Sequence, residues 1–202
     1  MTVAIVKYNA GNVQSVLYAL QRLGLNAVVT DDVEEIRSAD KVIFPGVGHA
    51  GSAMEYLRNK NLDKLIISLN QPVLGICLGL QLMCNASEEA NTKCLGIFDV
   101  DVKKFDSTSM QDHASSFKIP HMGWNNIYDL KSPLFTGVKE KAFVYFVHSY
   151  YAELSSQTIA TADYIVPYSA AMHKDNFYGV QFHTEKSADA GIQIISNFLN
   201  LV

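Results

Sequence analysis

The chain has 202 residues, enough for one α/β domain with a substantial core, and residues 1–202 are expected to form a single domain. Hydrophobic residues make up 49% of the chain and charged residues 18%, which is typical of a globular protein and excludes a disordered one. The formal net charge is −4 and Lys and Arg form no cluster, which argues against binding to nucleic acid.

The start of the chain and its apolar runs indicate where in the cell the protein is expected to be located. Residues 1–7 are typical of a first strand and lack the layout of a signal peptide. The apolar run at 72–84 is too short for a bilayer and is broken by glycine. We therefore expect a cytoplasmic protein that does not contact a membrane.

Strand and helix patterns alternate in the first half of the chain. Short apolar runs predict strands, and apolar residues spaced on one helical face predict helices. The predicted strands lie at 3–6, 27–29, 41–44 and 72–76, and the predicted helices at 13–23, 49–58 and 62–69. This alternation predicts an α/β fold with a mostly parallel, doubly wound sheet flanked by helices, and ligands at the carboxyl ends of its strands.

The second half of the chain has a different pattern. Runs of β-branched and aromatic residues, separated by turn residues, predict additional antiparallel strands. These lie at 97–102, 126–128, 143–151, 158–162 and 177–182. Ser187 is expected to cap a last helix, because apolar residues recur on one helical face beyond it.

The segment at 72–81 carries the first sign of chemistry. It predicts a buried strand that ends in Gly-x-Cys-x-Gly and turns directly into a helix, which is the nucleophile-elbow pattern with sulfur in place of oxygen. Gly75 and Gly79 leave room on both sides of such a strained turn. At a helix N-terminus the free N–H groups favour the thiolate of Cys77. The alternative is that Cys77 is a buried core residue, the commoner fate of a free cysteine.

The other two cysteines, Cys84 and Cys94, are interpreted as packing residues. Three cysteines make no disulfide framework, and no Cys-x-x-Cys pair occurs. Metal binding would need further ligands at compatible spacing, and the neighbouring sequence offers none, so no metal site is predicted.

A second segment, at 179–185, supplies a base. His183 and Glu185 follow an apolar run, and in an extended backbone alternate side chains share a face, so the two should project together. A carboxylate can then orient the imidazole and stabilise its cation, and the imidazole can serve a cysteine first as base and later as acid. A histidine at a strand end is more often structural, but here the elbow needs a base. The sequence thus predicts that Cys77, His183 and Glu185 act together.

These motifs resemble the class I (triad) glutamine amidotransferases, whose glutaminase domains carry a Gly-x-Cys-x-Gly-x-Gln elbow and a later Phe-His-x-Glu strand end. The resemblance covers nearly the whole chain. One departure is Thr184, where most members have proline, and threonine can keep the same extended path. The resemblance implies hydrolysis of glutamine by Cys77, His183 and Glu185 without a cofactor.

Other site residues complete this expectation. The Leu78 amide at the helix start is one candidate donor to the reaction's oxyanion. The Pro-Gly-Val-Gly loop at 45–48 is the other, because the family uses this loop as its oxyanion strand; viewed alone, the loop is as well explained as an ordinary turn. The residues concerned are Gly46, Val47 and Gly48 for the oxyanion, and, by resemblance, Gln81, Glu89, His148, Ser149 and Tyr150 for glutamine. A solvated Glu88–Glu89 pair is the alternative interpretation of Glu89.

Two more segments carry a narrower resemblance. The strings Pro-His-Met-Gly-Trp-Asn at 120–125 and Tyr-Asn-Ala-Gly-Asn at 8–12 are similar to those of the glutaminase subunits of imidazole glycerol phosphate synthases. This implies a heterodimer with a cyclase subunit, a (β/α)8 barrel that consumes ammonia, with Asn12, Trp124 and Lys186 near the interface. On the alternative interpretation, 120–125 is a turn with a packed indole and Lys186 is a solvated surface lysine.

Three other functions remain open from the sequence. A glutaminase that serves another synthase, such as the one making anthranilate, would share the elbow but is not expected to carry the 120–125 string. A stand-alone cysteine hydrolase or peptidase would act on peptides or esters without a partner. A non-catalytic interaction module would have a decayed site, which the intact catalytic set argues against.

Overall fold

The computed structural model describes residues 1–9, 11–106 and 117–202, so Ala10 of the 8–12 string lies outside the described residues. The helices are α1 Val13–Arg22, α2 Val33–Ser38, α3 Ala50–Asn59, α4 Leu62–Ile67, α5 Leu78–Met83 and α6 Ala188–Asn200. The strands are β1 Val3–Val6, β2 Ala27–Thr30, β3 Lys41–Phe44, β4 Val73–Ile76, β5 Ala86–Ser87, β6 Thr92–Lys93, β7 Asp101–Lys104, β8 His121–Ile127, β9 Ala142–His148, β10 Tyr150–Ala152, β11 Thr158–Tyr164, β12 Val166–Lys174 and β13 Phe177–Val180. None of the described helices is long and apolar enough to cross a membrane.

A seven-stranded sheet with the order β11-β12-β13-β4-β3-β1-β2 runs through the centre of the fold. The strands from β13 to β2 are parallel to one another, and β12 and β11 extend the sheet in antiparallel fashion. Strands β1, β4 and β13 are buried at every position, which explains their unbroken apolar runs. The α/β fold predicted from the sequence is confirmed.

Two hydrophobic clusters fill the space on either side of this sheet. Along β1, Ala4 and Val6 belong to one cluster and Val3 and Ile5 to the other, as the alternation of side chains along a strand requires. Helices α2 to α5 contribute to the first cluster, and α1 and α6 to the second. The sheet is therefore covered on both faces, and the carboxyl ends of its parallel strands share one edge.

The strand predicted at 97–102 is mostly wrong. Strand β7 begins at Asp101, because Ile97 and Phe98 both donate their backbone N–H groups to the carbonyl of Met83 instead of to a neighbouring strand. Their side chains are buried, so the apolar pattern reflects packing after α5 and not a β-ladder. Helix α2 and strand β12 lie outside the predicted elements.

The strand predicted at 143–151 is two strands that belong to different sheets. β9 pairs with β8 alone, whereas β10 pairs with β7 in a four-stranded sheet. The break is at Ser149, whose carbonyl accepts a hydrogen bond from the N–H of Phe105 at 3.0 Å.

The 120–125 string is not a turn with a packed indole: His121 to Asn125 are extended in β8, and Trp124 is 51% exposed.

Candidate active site

Cys77 lies at the corner between β4 and α5, in a strained backbone conformation with φ 53° and ψ −106°. Its N–H donates to the carbonyl of Val180 in the neighbouring strand at 2.8 Å. The corner depends on close backbone contact, because a Cβ atom on Gly79 would lie 1.9 Å from the carbonyl oxygen of Phe44. A Cβ on Gly75 would lie 2.9 Å from the backbone of Gly79. Both glycines therefore let the first turn of α5 rest against the sheet.

His183 and Glu185 form a buried pair behind the corner. Their side chains are 0% exposed, and His183 Nδ1 donates to Glu185 Oε1 at 2.8 Å. The pair does not arise from strand alternation as predicted, because β13 ends at Val180 and residues 184–186 form a 3-10 turn. The N–H of Lys186 donates to the carbonyl of His183 at 3.0 Å and closes this turn. The turn brings the carboxylate back toward the imidazole.

The environment of His183 stabilises its cationic form. Burial acts to lower the pKa of His183, but its interactions with Cys77 and Glu185 outweigh burial and raise the pKa to about 10. The opposite ring nitrogen, Nε2, is buried and has no hydrogen-bond partner among the described residues. The imidazole is thus held at one nitrogen by the carboxylate, and its other nitrogen is available for proton transfer.

The loop at 45–48 lies against the start of α5, but it presents a carbonyl there. The N–H of Leu78 donates to the carbonyl of Gly46 at 3.3 Å. Tyr8 Oη donates to the carbonyl of Pro45 at 2.5 Å, and the N–H of Gly11 donates to the carbonyl of Val47 at 3.1 Å. Tyr8 and Gly11, which follow β1, therefore hold the loop in place. The N–H of Leu78 already has a hydrogen-bond acceptor in the loop.

A cavity of about 280 Å³ opens in front of the Cys77 corner. It brings together most of the residues expected to contact glutamine or the oxyanion: Val47, Gly48, Cys77, Leu78, Gln81, Glu89, His148, Ser149 and Tyr150. Pro120 and Val147 also line it. Gly46, His183 and Glu185 are not part of its wall. The size of the cavity suits a small polar substrate.

Two polar residues of the cavity already make hydrogen bonds with the protein. Gln81 Nε2 donates to the carbonyl of Tyr150 at 2.8 Å and to Gln181 Oε1 at 3.0 Å. Glu89 Oε2 accepts from the N–H of Ala50, at the start of α3, at 2.6 Å. The neighbouring Glu88 is instead exposed and forms an ion pair with Lys103 at 3.6 Å, so the two glutamates are not a solvated pair.

The imidazole of His148 turns its nitrogens away from the cavity. Its Nδ1 lies 2.7 Å from the carbonyl of Tyr150, to which it donates, and its Nε2 lies 3.2 Å from Nδ1 of His121. Burial lowers the pKa of His148 to about 3 and that of His121 to about 4, so both rings are neutral at neutral pH. The histidine of the 120–125 string therefore supports the cavity wall from behind.

Sequence reasoning missed two buried polar residues that flank His183. Gln181 is 0% exposed, and its Nε2 lies 3.6 Å from Cys77 Sγ. Ser187 occupies the N-cap position of α6 as predicted, but its side chain makes no capping bond: its hydroxyl donates to the carbonyl of His183 at 2.6 Å and accepts from the N–H of Tyr145 at 2.9 Å. The signal for Gln181 was available, because an amide within an apolar run needs a polar partner.

The three residues expected at a partner interface lie in two different parts of the structure. Asn12 points inward, where Nδ2 donates to Glu185 Oε1 and lies 3.3 Å from His183 Nδ1. Trp124 and the exposed Lys186 both contact Tyr145: the indole lies edge-on at 6.0 Å, and Lys186 Nζ lies 5.9 Å from the ring centre. Trp124 and Lys186 therefore share an outward surface, whereas Asn12 belongs to the group that it forms with His183 and Glu185.

Comparison with known proteins places the chain in a family. The family model for glutamine amidotransferase class-I matches residues 4–201. The imidazole glycerol phosphate synthase subunit HisH of Bacteroides fragilis is 59% identical over 201 residues, which is 100% of both chains. The HisH subunit of Bacteroides thetaiotaomicron is 58% identical, again over 100% of both chains.

A solved structure supports the fold independently. The crystal structure of a glutamine amidotransferase superposes with a TM-score of 0.73 and covers 98% of this chain and 97% of its own, at 14% sequence identity. At that identity the likeness concerns the fold alone. The family match and the near-complete coverage of the relatives lead to one assignment. The chain belongs to the class I glutamine amidotransferases and, within them, to the HisH subunits of imidazole glycerol phosphate synthase.

Proposed function

We propose that the chain hydrolyses L-glutamine to L-glutamate and ammonia at Cys77, and delivers the ammonia to a cyclase subunit in histidine biosynthesis. The observation that carries the proposal is the arrangement around the corner: a strained Cys77 faces the cavity, and a buried His183–Glu185 pair with a raised imidazole pKa lies behind it. An imidazolium beside a cysteine favours the thiolate, which is the nucleophilic form.

The reaction begins when the Cys77 thiolate attacks the carboxamide carbon of glutamine. A carbon–sulfur bond forms, and the carbonyl electrons move to oxygen. The tetrahedral intermediate then expels ammonia, whose nitrogen takes a proton from His183, and a glutamyl thioester remains. Water attacks the thioester as His183 accepts its proton, and glutamate and the thiolate are released. Glu185 holds the imidazole through Nδ1 in both steps.

Stabilisation of the oxyanion requires a change from the described conformation. The Leu78 amide is bonded to Gly46, so it can donate to an oxyanion only after the peptide at 46–47 turns its carbonyl away. Because oxyanion stabilisation is usually a large part of catalysis, the chain alone should hydrolyse glutamine slowly. We expect the rate to rise strongly when the partner and its ligand are bound.

An apolar face beside the catalytic group supports partner binding. On the two-stranded sheet, Met122 and Trp124 of β8 and Phe143 of β9 are all more than half exposed, at 63%, 51% and 60%. Met122 and Trp124 are two residues apart, and Trp124 pairs with Tyr145, which is two residues from Phe143, so all three share one face of the sheet. The next residue along this face, Tyr145, accepts from the N–H of His183 at 2.9 Å through its carbonyl. A partner seated on this face would therefore contact the backbone that holds the catalytic histidine.

The chemistry of ammonia explains why a partner is needed. In water at neutral pH ammonia is largely protonated and loses its nucleophilicity, so it must pass between subunits without release. The relatives are named as subunits of imidazole glycerol phosphate synthase. We infer that the partner is the cyclase subunit, a (β/α)8 barrel that makes imidazole glycerol phosphate and an aminoimidazole carboxamide ribotide.

A comparison of two nitrogen sources tests the proposal. With the candidate cyclase present, Cys77→Ala should abolish synthesis from glutamine and leave synthesis from added ammonium salts intact. Cys94→Ala is the matched control, since Cys94 lies outside the cavity wall, and it should retain both activities. Loss of both activities in Cys77→Ala would show that Cys77 serves folding or assembly. Unchanged synthesis from glutamine would show that another group is the nucleophile.

A further inference from the structure

Gln181 lies beside Cys77 because of the way two strands pair. Val180, the last residue of β13, is in register with Ile76, the last residue of β4. The next residues of the two strands, Gln181 and Cys77, are therefore neighbours at the sheet's edge. The Gln181 side chain is 0% exposed, and its Nε2 lies 3.6 Å from Cys77 Sγ, within reach of a hydrogen bond to sulfur.

Hydrogen-bond partners fix the orientation of the Gln181 amide. The carbonyl of Tyr150 can only accept, so the atom of Gln81 that lies 2.8 Å from it is the nitrogen. The same nitrogen lies 3.0 Å from the amide of Gln181, which must therefore present its oxygen. The nitrogen of Gln181 is then left facing the sulfur. The chain of hydrogen bonds that runs from the Tyr150 carbonyl through the side chains of Gln81 and Gln181 ends with an N–H of Gln181 directed at the Cys77 sulfur.

We propose that Gln181 is a further catalytic residue of the glutaminase reaction, donating a hydrogen bond to the Cys77 sulfur that favours the thiolate. Gln81 is a positioning residue that acts through Gln181. This inference rests on the proposed function, in which Cys77 is the nucleophile. A donor to the charged form of a group stabilises that form, and the effect is larger where water is excluded.

The other titratable groups near Cys77 do not replace this donor. Burial, together with the Cys77 charge, raises the pKa of Tyr8 well above its usual value. Burial, followed by the charges of Asp163 and Cys77, does the same for Tyr168, so both phenols stay neutral through the working range. Among the described residues, His183 is the only cationic group that is found to interact with the Cys77 sulfur. The Cys77 sulfur therefore has one cationic neighbour, His183, and one neutral hydrogen-bond donor, Gln181.

The competing explanation is that Gln181 only fills space under the corner. Methionine has a similar length and volume and no N–H, so Gln181→Met keeps the packing and removes the donor. In Gln181→Glu the carboxylate still accepts from Gln81 and no longer donates to sulfur, but its negative charge also disfavours the thiolate, so this variant supports Gln181→Met and does not replace it. The exposed Gln21 provides the matched control, Gln21→Met, away from the cavity.

The test measures alkylation of Cys77 by iodoacetamide as a function of pH, using the full chain and peptide mass mapping. The thiolate displaces iodide, so the rate follows the thiolate fraction and does not depend on glutamine turnover. Cys84 and Cys94 serve as internal references: burial raises the pKa of both thiols, to about 12 for Cys94, and they should remain unmodified in the folded chain.

Removal of the donor should move the alkylation profile of Cys77 to higher pH. A hydrogen bond to a charged group is strong enough that the rate below the midpoint should fall about tenfold or more in Gln181→Met and Gln181→Glu. Gln81→Met should move the profile in the same direction by a smaller amount, because Gln181 then loses its fixed orientation. Gln21→Met should match the parent.

Profiles of Gln181→Met or Gln181→Glu that superpose on the parent's would overturn the inference. That result would leave the Cys77→Ala comparison of nitrogen sources unaffected, so the two proposals fail separately. Thermal unfolding of each variant establishes that it is folded. If Gln181→Met does not fold, Gln181→Leu and Gln81→Met decide the question by the same criterion.

Discussion

The backbone N–H of Leu78 donates to the carbonyl oxygen of Gly46 at 3.3 Å, and on the proposed mechanism this contact occupies a donor that the oxyanion needs. Cys77, His183 and Glu185, the proposed catalytic residues, already interact in the chain by itself. Because of this contact, Leu78 has no free N–H to donate to the glutamine oxygen that becomes negative in the proposed reaction. The loop that supplies Gly46 is held in turn by Tyr8 and Gly11.

Removal of the Tyr8 hydroxyl should loosen this loop. Tyr8→Phe leaves the carbonyl of Pro45 without its donor, so we expect a loss of about 1 kcal/mol in the free energy of unfolding. Because the bond stabilises the conformation that occupies the Leu78 amide, partner-independent glutaminase activity should rise. Urea unfolding and a glutamate-release assay on the isolated chain check the two effects. Tyr18→Phe, an exposed position on α1, is the control. A stable variant with unchanged activity would show that Tyr8 does not restrain the loop.

The titration of His183 should depend on Cys77. Interactions with Cys77 and Glu185 raise the pKa of His183 from 6.5 to about 10 against the effect of burial. In Cys77→Ala one of the two raising influences is gone while burial remains, so the pKa should fall. NMR of the labelled imidazole measures this directly in both proteins. An unchanged pKa would mean that the thiolate is not the group that stabilises the cation.

The same shift predicts how stability changes with pH. A folded-state pKa above the unfolded value gives stability that is fully present below about pH 6.5 and is lost as pH rises toward about 10. In Cys77→Ala this loss should occur over a lower and narrower pH range. Urea unfolding at a series of pH values compares the two proteins, and parallel curves would contradict the linkage.

Thr184→Pro should stabilise the fold without loss of activity. The hydroxyl of Thr184 is buried and has no hydrogen-bond partner among the described residues, which is unfavourable. Thr184 is the first residue of a 3-10 turn, and His183 before it is extended with φ −85° and ψ 99°, both compatible with proline. We expect a gain of about 0.5–1 kcal/mol from reduced freedom of the unfolded chain.

Thr184→Val separates the two contributions, because it removes the hydroxyl without restricting the backbone. It should recover part of the gain in thermal unfolding. A destabilised Thr184→Pro would show that the turn needs the threonine's N–H or its exact backbone angles.

Gly79→Ala should damage both folding and activity. The added Cβ would lie 1.9 Å from the backbone oxygen of Phe44, a contact that no side-chain movement can relieve. A displaced α5 would cost about 1–3 kcal/mol and shift Cys77 from the cavity. Gly51→Ala, within α3, is the matched control: its Cβ would meet side-chain atoms only, the His49 ring at 3.2 Å and Thr92 Oγ1 at 3.5 Å. That variant should be neutral or more stable by about 0.5–1 kcal/mol, since alanine favours helix. Equal effects of the two substitutions would contradict the close approach.

The residues whose pattern is local could be predicted from the sequence. The strand–corner–helix around Cys77 is encoded within ten residues, and its glycines are required by contacts within the same segment and with the next strand. The pairing of His183 with Glu185 was also anticipated, although a 3-10 turn and not an extended strand makes it. In both cases the residues that the proposed chemistry requires lie within a few positions of one another, and such short motifs can be recognised in a sequence.

Residues whose role depends on distant contacts were misplaced or missed. Asn12 reaches Glu185 across the domain because α1 begins beside the turn at 184–186. His148 lines the cavity, but its Nε2 meets His121 because β8 and β9 pair in register at these two residues. A periodic pattern indicates which face of a strand is buried, but it does not indicate which strand lies next to it.

The sequence by itself determined the fold class and the family, and it singled out Cys77 and His183 as the candidate nucleophile and base. Tertiary structure alone decided that Gln181 faces the sulfur, that Asn12 contacts His183 and Glu185, and that Gly46 occupies the Leu78 amide. Each of these contacts joins segments that are far apart in the chain and meet only where parallel strands end at a common edge. The register of the strands sets which side chains meet there, and register is a property of the assembled sheet.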